Sequence, residues 1–86
     1  MNLIRWSYTK RYNIKAKFDT FPNSAVLFRQ IKNYYFVYSV KWSTMDSVVT
    51  KKDLEKMELL LNRELGTEDG YRHRSQFKAK EPPHHI

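Results

Sequence analysis

Apolar and polar residues alternate along the start of the chain. Ile4, Trp6 and Tyr8 interleave with Arg5, Ser7 and Thr9. After Lys10-Arg11 the alternation resumes, with Tyr12, Ile14, Ala16 and Phe18 set among Asn13, Lys15 and Lys17. A period of two marks a strand with one buried face. The spacing therefore predicts two antiparallel strands joined by a tight turn, here without the usual Asn-Gly or Asp-Gly pair. Tyr34–Trp42 is the most strand-like segment, being almost entirely aromatic and β-branched. Strict alternation places Tyr34, Phe36, Tyr38, Val40 and Trp42 on one face and Tyr35, Val37, Ser39 and Lys41 on the other.

Helical spacing appears in two places. Phe21, Ala25 and Phe28 fall at i, i+4 and i+7, beside the pair Leu27 and Ile31. Thr20 stands where a cap belongs and Pro22 in the first turn, where a missing N–H costs nothing. A helix over residues 21–32 is expected, with Asn33 as its stop; a strand over 25–31 is the competing reading. Residues 51–65 carry the clearer pattern. Thr50 and Asp53 make a capping box, Leu54, Met57, Leu61 and Leu65 form one stripe, and Gly66 marks the end. Leu60 flanks that stripe, and Leu59 is expected to be exposed. Thr67–Gly70 reads as a turn. Residues 71–80 alternate again, as an edge strand or an ordered arm, and the Pro82-Pro83 pair predicts a loose tail over 81–86.

These elements predict an α+β domain over residues 1–80. It would hold an antiparallel sheet of three or four strands with two helices packed on one face, in the order β-β-α-β-α with a final strand optional. Ile4, Trp6, Tyr8, Ile14, Ala16, Phe18, Phe36, Tyr38 and Val40 would then line the core.

Charge changes the picture because it is segregated. Residues 1–45 hold eight bases against the single acid Asp19, and eleven of the thirteen aromatic residues. Residues 46–70 reverse the balance with seven acids against four bases, and residues 71–86 return to four bases against one acid. The net charge is +7. There is no cysteine, which excludes disulfides and thiolate chemistry. The longest apolar run, Tyr34–Tyr38, is far too short to span a bilayer, so no membrane partner is expected and a cytoplasmic location is the default.

By alternation Arg5, Lys15, Lys17, Tyr35 and Lys41 would share the face left open by the helices, and Arg72 and Arg74 would extend it along the basic arm. Cations with a ring among them are suited to a phosphodiester chain and an exposed base. The leading expectation is thus a non-catalytic protein that binds nucleic acid or a nucleoprotein. The alternative is an accessory or inhibitor protein of the phage or mobile-element kind, acting on a host protein. An outside reading is a metal-independent ribonuclease-type toxin, with His73 as a base among Arg72 and Arg74. His84 and His85 are adjacent and would diverge on an extended tail, so no metal site and no cofactor is expected. The acidic patch around the second helix is read as a solvated surface; paired with the basic half of a second copy it would give a homodimer.

Overall fold

Four strands follow one another as an antiparallel meander: β1 (Leu3–Tyr8), β2 (Ile14–Phe18), β3 (Phe21–Ile31) and β4 (Tyr34–Lys41). Two helices come after them, α1 (Lys51–Leu65) and α2 (Glu68–Ala79). This computed structural model describes the backbone of residues 1–79 and the side chains of residues 1–74. The α+β class and the antiparallel sheet agree with the sequence reading, but the order is β-β-β-β-α-α. The predicted tail and Lys80 lie outside the described residues.

Two segments differ from expectation. Residues 21–31 form β3 rather than a helix. Val26 and Phe28 point into the core and pair with Ala16 and Ile14 on one side and with Val40 and Val37 on the other. A helix there would have withdrawn the strand that joins β2 to β4, and the two-residue turn Lys32-Asn33 closes the β3–β4 hairpin directly. Pro22, read as a helix start, sits instead in an irregular stretch between the pairs Phe18↔Phe21 and Ala16↔Val26, where no ladder bond needs its nitrogen. Residues 71–79 are helical rather than extended. The Thr67-Glu68-Asp69 run read as a turn is a helix start, with two acids in the first turn at the positive end of the helix dipole and Tyr71 N–H donating to the Thr67 carbonyl.

α1 matches the sequence in detail. Thr50 and Asp53 exchange hydrogen bonds as a complete capping box, and Gly66 ends the helix at φ 78°, a left-handed conformation that suits glycine. Met57 and Leu61 are fully buried among Ile14, Ala16, Phe18, Phe21, Val26, Phe28 and Tyr35, with Leu54, Leu60 and Leu65 packed beside them. Leu59 is half-buried rather than exposed. α1 approaches both edge strands of the sheet, β4 and β1, and α2 packs on α1 and β4.

The β4 edge is closed by side chains of α1. Asn62, fully buried, accepts from Tyr35 N–H at 2.8 Å and donates to the Tyr35 carbonyl at 2.8 Å. Its amide also donates to the Glu58 carbonyl at 2.7 Å, and its oxygen accepts from the Thr67 hydroxyl at 2.8 Å. One turn earlier, Glu58 accepts from Val37 N–H at 2.8 Å and from the Tyr71 hydroxyl at 2.9 Å. Burial first, and then the Glu58 charge, push the Tyr71 hydroxyl above the usual tyrosine range.

A second anchor joins the β4–α1 connection to the start of β3. Asp46, buried, accepts from the Ser24 hydroxyl, from the Asn23 side-chain amide at 3.0 Å and from Asn23 N–H at 3.1 Å, and the Ser24 hydroxyl oxygen accepts from Ser43 N–H at 2.9 Å. Burial pushes the Asp46 carboxyl up, but these hydrogen bonds and the Lys17 charge outweigh it, and the group titrates below the ordinary carboxylate range. Asp19 is also lowered, chiefly by Asn2 N–H, and Glu68 by Arg63 and Arg72.

Three outcomes follow. Asn62→Ala leaves the Tyr35 amide and carbonyl buried without partners, and is expected to lower stability by about 2–4 kcal/mol in urea unfolding. Alanine at Gly70 would normally favour a helix. Here its Cβ would stand 2.7 Å from the Asn33 carbonyl oxygen and side chain, so Gly70→Ala is expected to destabilise by about 1–3 kcal/mol; an unchanged or raised midpoint would disprove that close packing. Finally, carboxylates whose folded pKa lies below the unfolded value favour the fold above the unfolded pKa of about 4. That contribution is lost as pH falls through the folded values. Thermal midpoints should therefore hold from neutrality to about pH 5 and drop below pH 4, and Asp46→Asn should flatten the drop while lowering the plateau.

Candidate functional site

The strand register decides which side chains share the face opposite the core. Arg5 pairs with Lys17 and Ser7 with Lys15; Lys15 pairs with Leu27, Leu27 with Ser39 and Ala25 with Lys41. Directly paired residues lie on the same face. Ile14, Ala16, Val26 and Phe28 alternate with them and carry the core. Arg5, Lys15, Lys17 and Lys41 therefore do share the open face, as alternation predicted. Arg5, Lys15 and Lys41 are exposed and Lys17 is half-buried. A depression of about 230 Å³ is lined by Arg5, Trp6, Ser7, Lys15 and Lys17.

A β-bulge places the rings. Leu27 pairs with Ser39 but Phe28 with Val37, so Tyr38 is an extra residue on β4. Residues before it change faces relative to strict alternation. Tyr35 is consequently buried, 6% exposed, in the core. Its hydroxyl titrates above the usual range because of burial and then the neighbouring Tyr8. It cannot stack a base, which corrects its assignment to the open face. Phe36 and Tyr38, expected in the core, stand on the open side, with Phe36 paired to Arg29. Tyr38 is 41% exposed and the Arg29 guanidinium lies 4.2 Å over its ring, a cation–π contact. Sequence reasoning missed Arg29, Phe36 and Tyr38. The available signal was the two-residue turn at Lys32-Asn33, which argues for a hairpin and so for Arg29 on a strand; nothing in the pattern marked the bulge.

β1 also departs from strict alternation. Ile4 and Tyr8, expected in the core, are 54% and 55% exposed. A register shift between Leu3 and Arg5 turns Ile4 outward, and Leu3 packs against the core together with half-buried Trp6.

The strands carry Arg5, Lys15, Lys17, Arg29 and Lys41 and no acid; acids reach the margin from other elements, Glu64 of α1 beside Arg5 and Asp46 near Lys17. Asp19, the lone acid of the first half, lies outside the strands and is held by Asn2 through its N–H at 2.7 Å and its amide at 3.0 Å. Lys17 is the most engaged of the lysines: its ammonium donates to the Pro22 carbonyl at 3.5 Å and is near enough to Asp46 to influence its titration. The Arg5↔Lys17 pair sets like charges directly opposite one another, an arrangement that disfavours the sheet until an anion screens it.

Arg72 and Arg74 are not part of this surface. Both lie on α2, which packs on α1 and β4. Arg72 is paired with Glu68, its Nε at 2.7 Å. Arg74 stacks 3.5 Å over Tyr71 and donates to the Tyr71 carbonyl at 2.6 Å. It lines a groove of about 470 Å³ at the β4 edge, between Tyr34 and Phe36 of β4 and Glu55 and Glu58 of α1. His73 is exposed on the same helix. Among the described residues, no group of three His, Cys, Asp or Glu side chains could hold a metal, and no helix is long and apolar enough to cross a membrane. His84 and His85 lie outside the described residues.

No curated protein and no solved structure matches the chain. The model of one family, described as "Uncharacterised protein YuzH", matches residues 2–76, and the chain belongs to that YuzH family.

Proposed function

We propose that the protein binds nucleic acid, alone or within a nucleoprotein, through the face of its sheet opposite the core. The observation that carries this reading is the exposed set Arg5, Lys15, Arg29 and Lys41, with Lys17 beside them, on strands that contain no acid. Cations two residues apart on one strand stand about 6.8 Å apart, and neighbouring strands about 4.8 Å. Such a grid meets several phosphates at once, and the Arg29–Tyr38 stack adds a flat surface on which a base can lie. Binding of this type releases counterions and is strongly salt-dependent.

The other reading, an accessory protein acting on a host protein, is favoured by the β4–α1 connection, where Trp42, Met45 and Val48 are 45%, 79% and 73% exposed. That connection lacks the cluster of bases that the strands carry, so nucleic acid is the better-supported partner.

With about five phosphates engaged, the log–log salt slope is expected near −3.5 for a single strand or −4.5 for a duplex. Between 50 and 200 mM salt that is roughly a 100- to 500-fold loss of affinity. Replacing Lys15, Lys17 and Lys41 together by alanine should cut the slope by about 2 to 3. Fluorescence anisotropy with labelled oligonucleotides reads both quantities. Salt-indifferent binding, or an affinity untouched by the triple substitution, rules the reading out. A stoichiometric protein recovered from nuclease-treated lysate in place of nucleic acid would transfer the function to the second reading.

A further inference from the structure

The β1–β2 hairpin carries a second, separate array. Trp6 and Tyr8 lie edge to face with ring centroids 5.3 Å apart, and Tyr12 continues the row 6.4 Å beyond Tyr8. Trp6 roots the row against the core, while Tyr8 and Tyr12 are 55% and 76% exposed. Each edge-to-face contact occupies only one face of one of its two rings. The tip is closed by Asn13 N–H donating to the Lys10 carbonyl at 3.3 Å and Thr9 N–H to the Asn13 carbonyl at 2.6 Å. Its central residues are both left-handed, Arg11 at φ 62° and Tyr12 at φ 63°, a conformation that normally selects Asn or Gly. Two bulky residues are thus held in strained backbone where a ring and a cation project into solvent, and strain of this kind gathers at working sites.

The charge at the tip of the row identifies the ligand. Lys10 and Arg11 precede Tyr12 and are exposed with it, and residues 3–18 hold no acid; Arg5, Lys15 and Lys17 stand on the other face of the hairpin, since Trp6 and Tyr8 pair with Ala16 and Ile14. A ligand matched to cations and to open ring faces together is a polyanion with flat apolar faces of its own. Unpaired nucleotides meet that description, with one base face to every phosphate; in a duplex the base faces are already stacked on one another, and the Asp and Glu side chains of an acidic peptide offer none. Resting on the nucleic-acid reading above, we infer that the hairpin is a stacking finger for unpaired bases, which gives the protein a preference for single-stranded over double-stranded nucleic acid. The sheet face supplies phosphate contacts common to both forms, and Tyr8 and Tyr12 supply the discrimination.

The test compares wild type with Tyr12→Asn, Tyr12→Phe and the double variant Tyr8→Ala/Tyr12→Asn. The probes are single strands of about 12 nucleotides, oligo-dU and oligo-rU, and a duplex of the same length. Asparagine accepts the left-handed turn, so Tyr12→Asn is expected to keep or raise the thermal midpoint while weakening single-strand binding roughly 5- to 150-fold. Duplex affinity and the salt slope should stay within about twofold of wild type, since the phosphate contacts are intact. Tyr12→Phe, which keeps the ring, should bind as wild type. Loss on both single-strand probes shows that stacking alone is read; loss on one assigns the finger to that sugar. The inference is overturned if the double variant, folded by its melt, binds both single strands as tightly as wild type. Binding abolished in the Lys15, Lys17 and Lys41 triple variant would then leave the sheet-face reading standing. Absence of wild-type binding to every probe would remove that reading and the finger with it.

Discussion

The clamp between α1 and the outer edge of β4 is the contact on which the rest of the molecule depends. An edge strand leaves alternate N–H and C=O groups unpaired. Here Asn62 takes both groups of Tyr35 and Glu58 takes the N–H of Val37. The match is geometric: outward-facing strand residues repeat every two positions, about 6.8 Å, and helix residues four apart rise about 6.0 Å. Because Asn62 and Glu58 also hold Thr67 and Tyr71, the same two side chains position α2. The opposite face is left open over β1 to β3, while at the β4 edge Tyr34 and Phe36 border α1 and α2.

What that open face presents depends on one extra residue. Without the bulge at Tyr38, the face would carry Tyr35 and Val37; with it, the face carries Phe36 and Tyr38, and Arg29 has a ring to lie on. The exchange also buries Tyr35 where its backbone meets Asn62. A single irregularity in the ladder thus serves the edge clamp and the composition of the outer surface together. The cations need no such device. Arg5, Lys15, Lys17 and Lys41 take the face that simple alternation gives them, and Arg29 joins them because its segment is a strand.

The legible and illegible parts of the sequence separate on physical grounds. The first hairpin, β4 and α1 were readable because each is specified locally: a period of two, a run of β-branched and aromatic residues, a capping box with a glycine stop. β3 was not, because Phe21, Ala25 and Phe28 satisfy a helical period as well as a strand, and only the need for a partner between β2 and β4 decides. α2 was misread because residues 71–80 alternate, and its helical state is favoured by Tyr71 reaching Glu58 on a distant helix. Of the seven residues expected at the site, Arg5, Lys15, Lys17 and Lys41 do share a face. Tyr35 fails because a bulge has no single-residue signature here. Arg72 and Arg74 fail because their element was mistaken, and both engage neighbours on or beside α2.

Both glycines of the chain lie at the α1–α2 corner, one ending α1 at positive φ and the other letting α2 meet Asn33. None remains for the hairpins, so Arg11, Tyr12 and Lys32 take left-handed backbone with full side chains. Each such residue forgoes about 1–2 kcal/mol relative to a relaxed turn. The family member described here therefore sits below the stability its topology allows, and that margin is divided unequally. At the second hairpin it is open to an evolving lineage at no expense to the basic face. At the first it is tied to the most exposed tyrosine of the molecule, and a sturdier turn there means a barer tip.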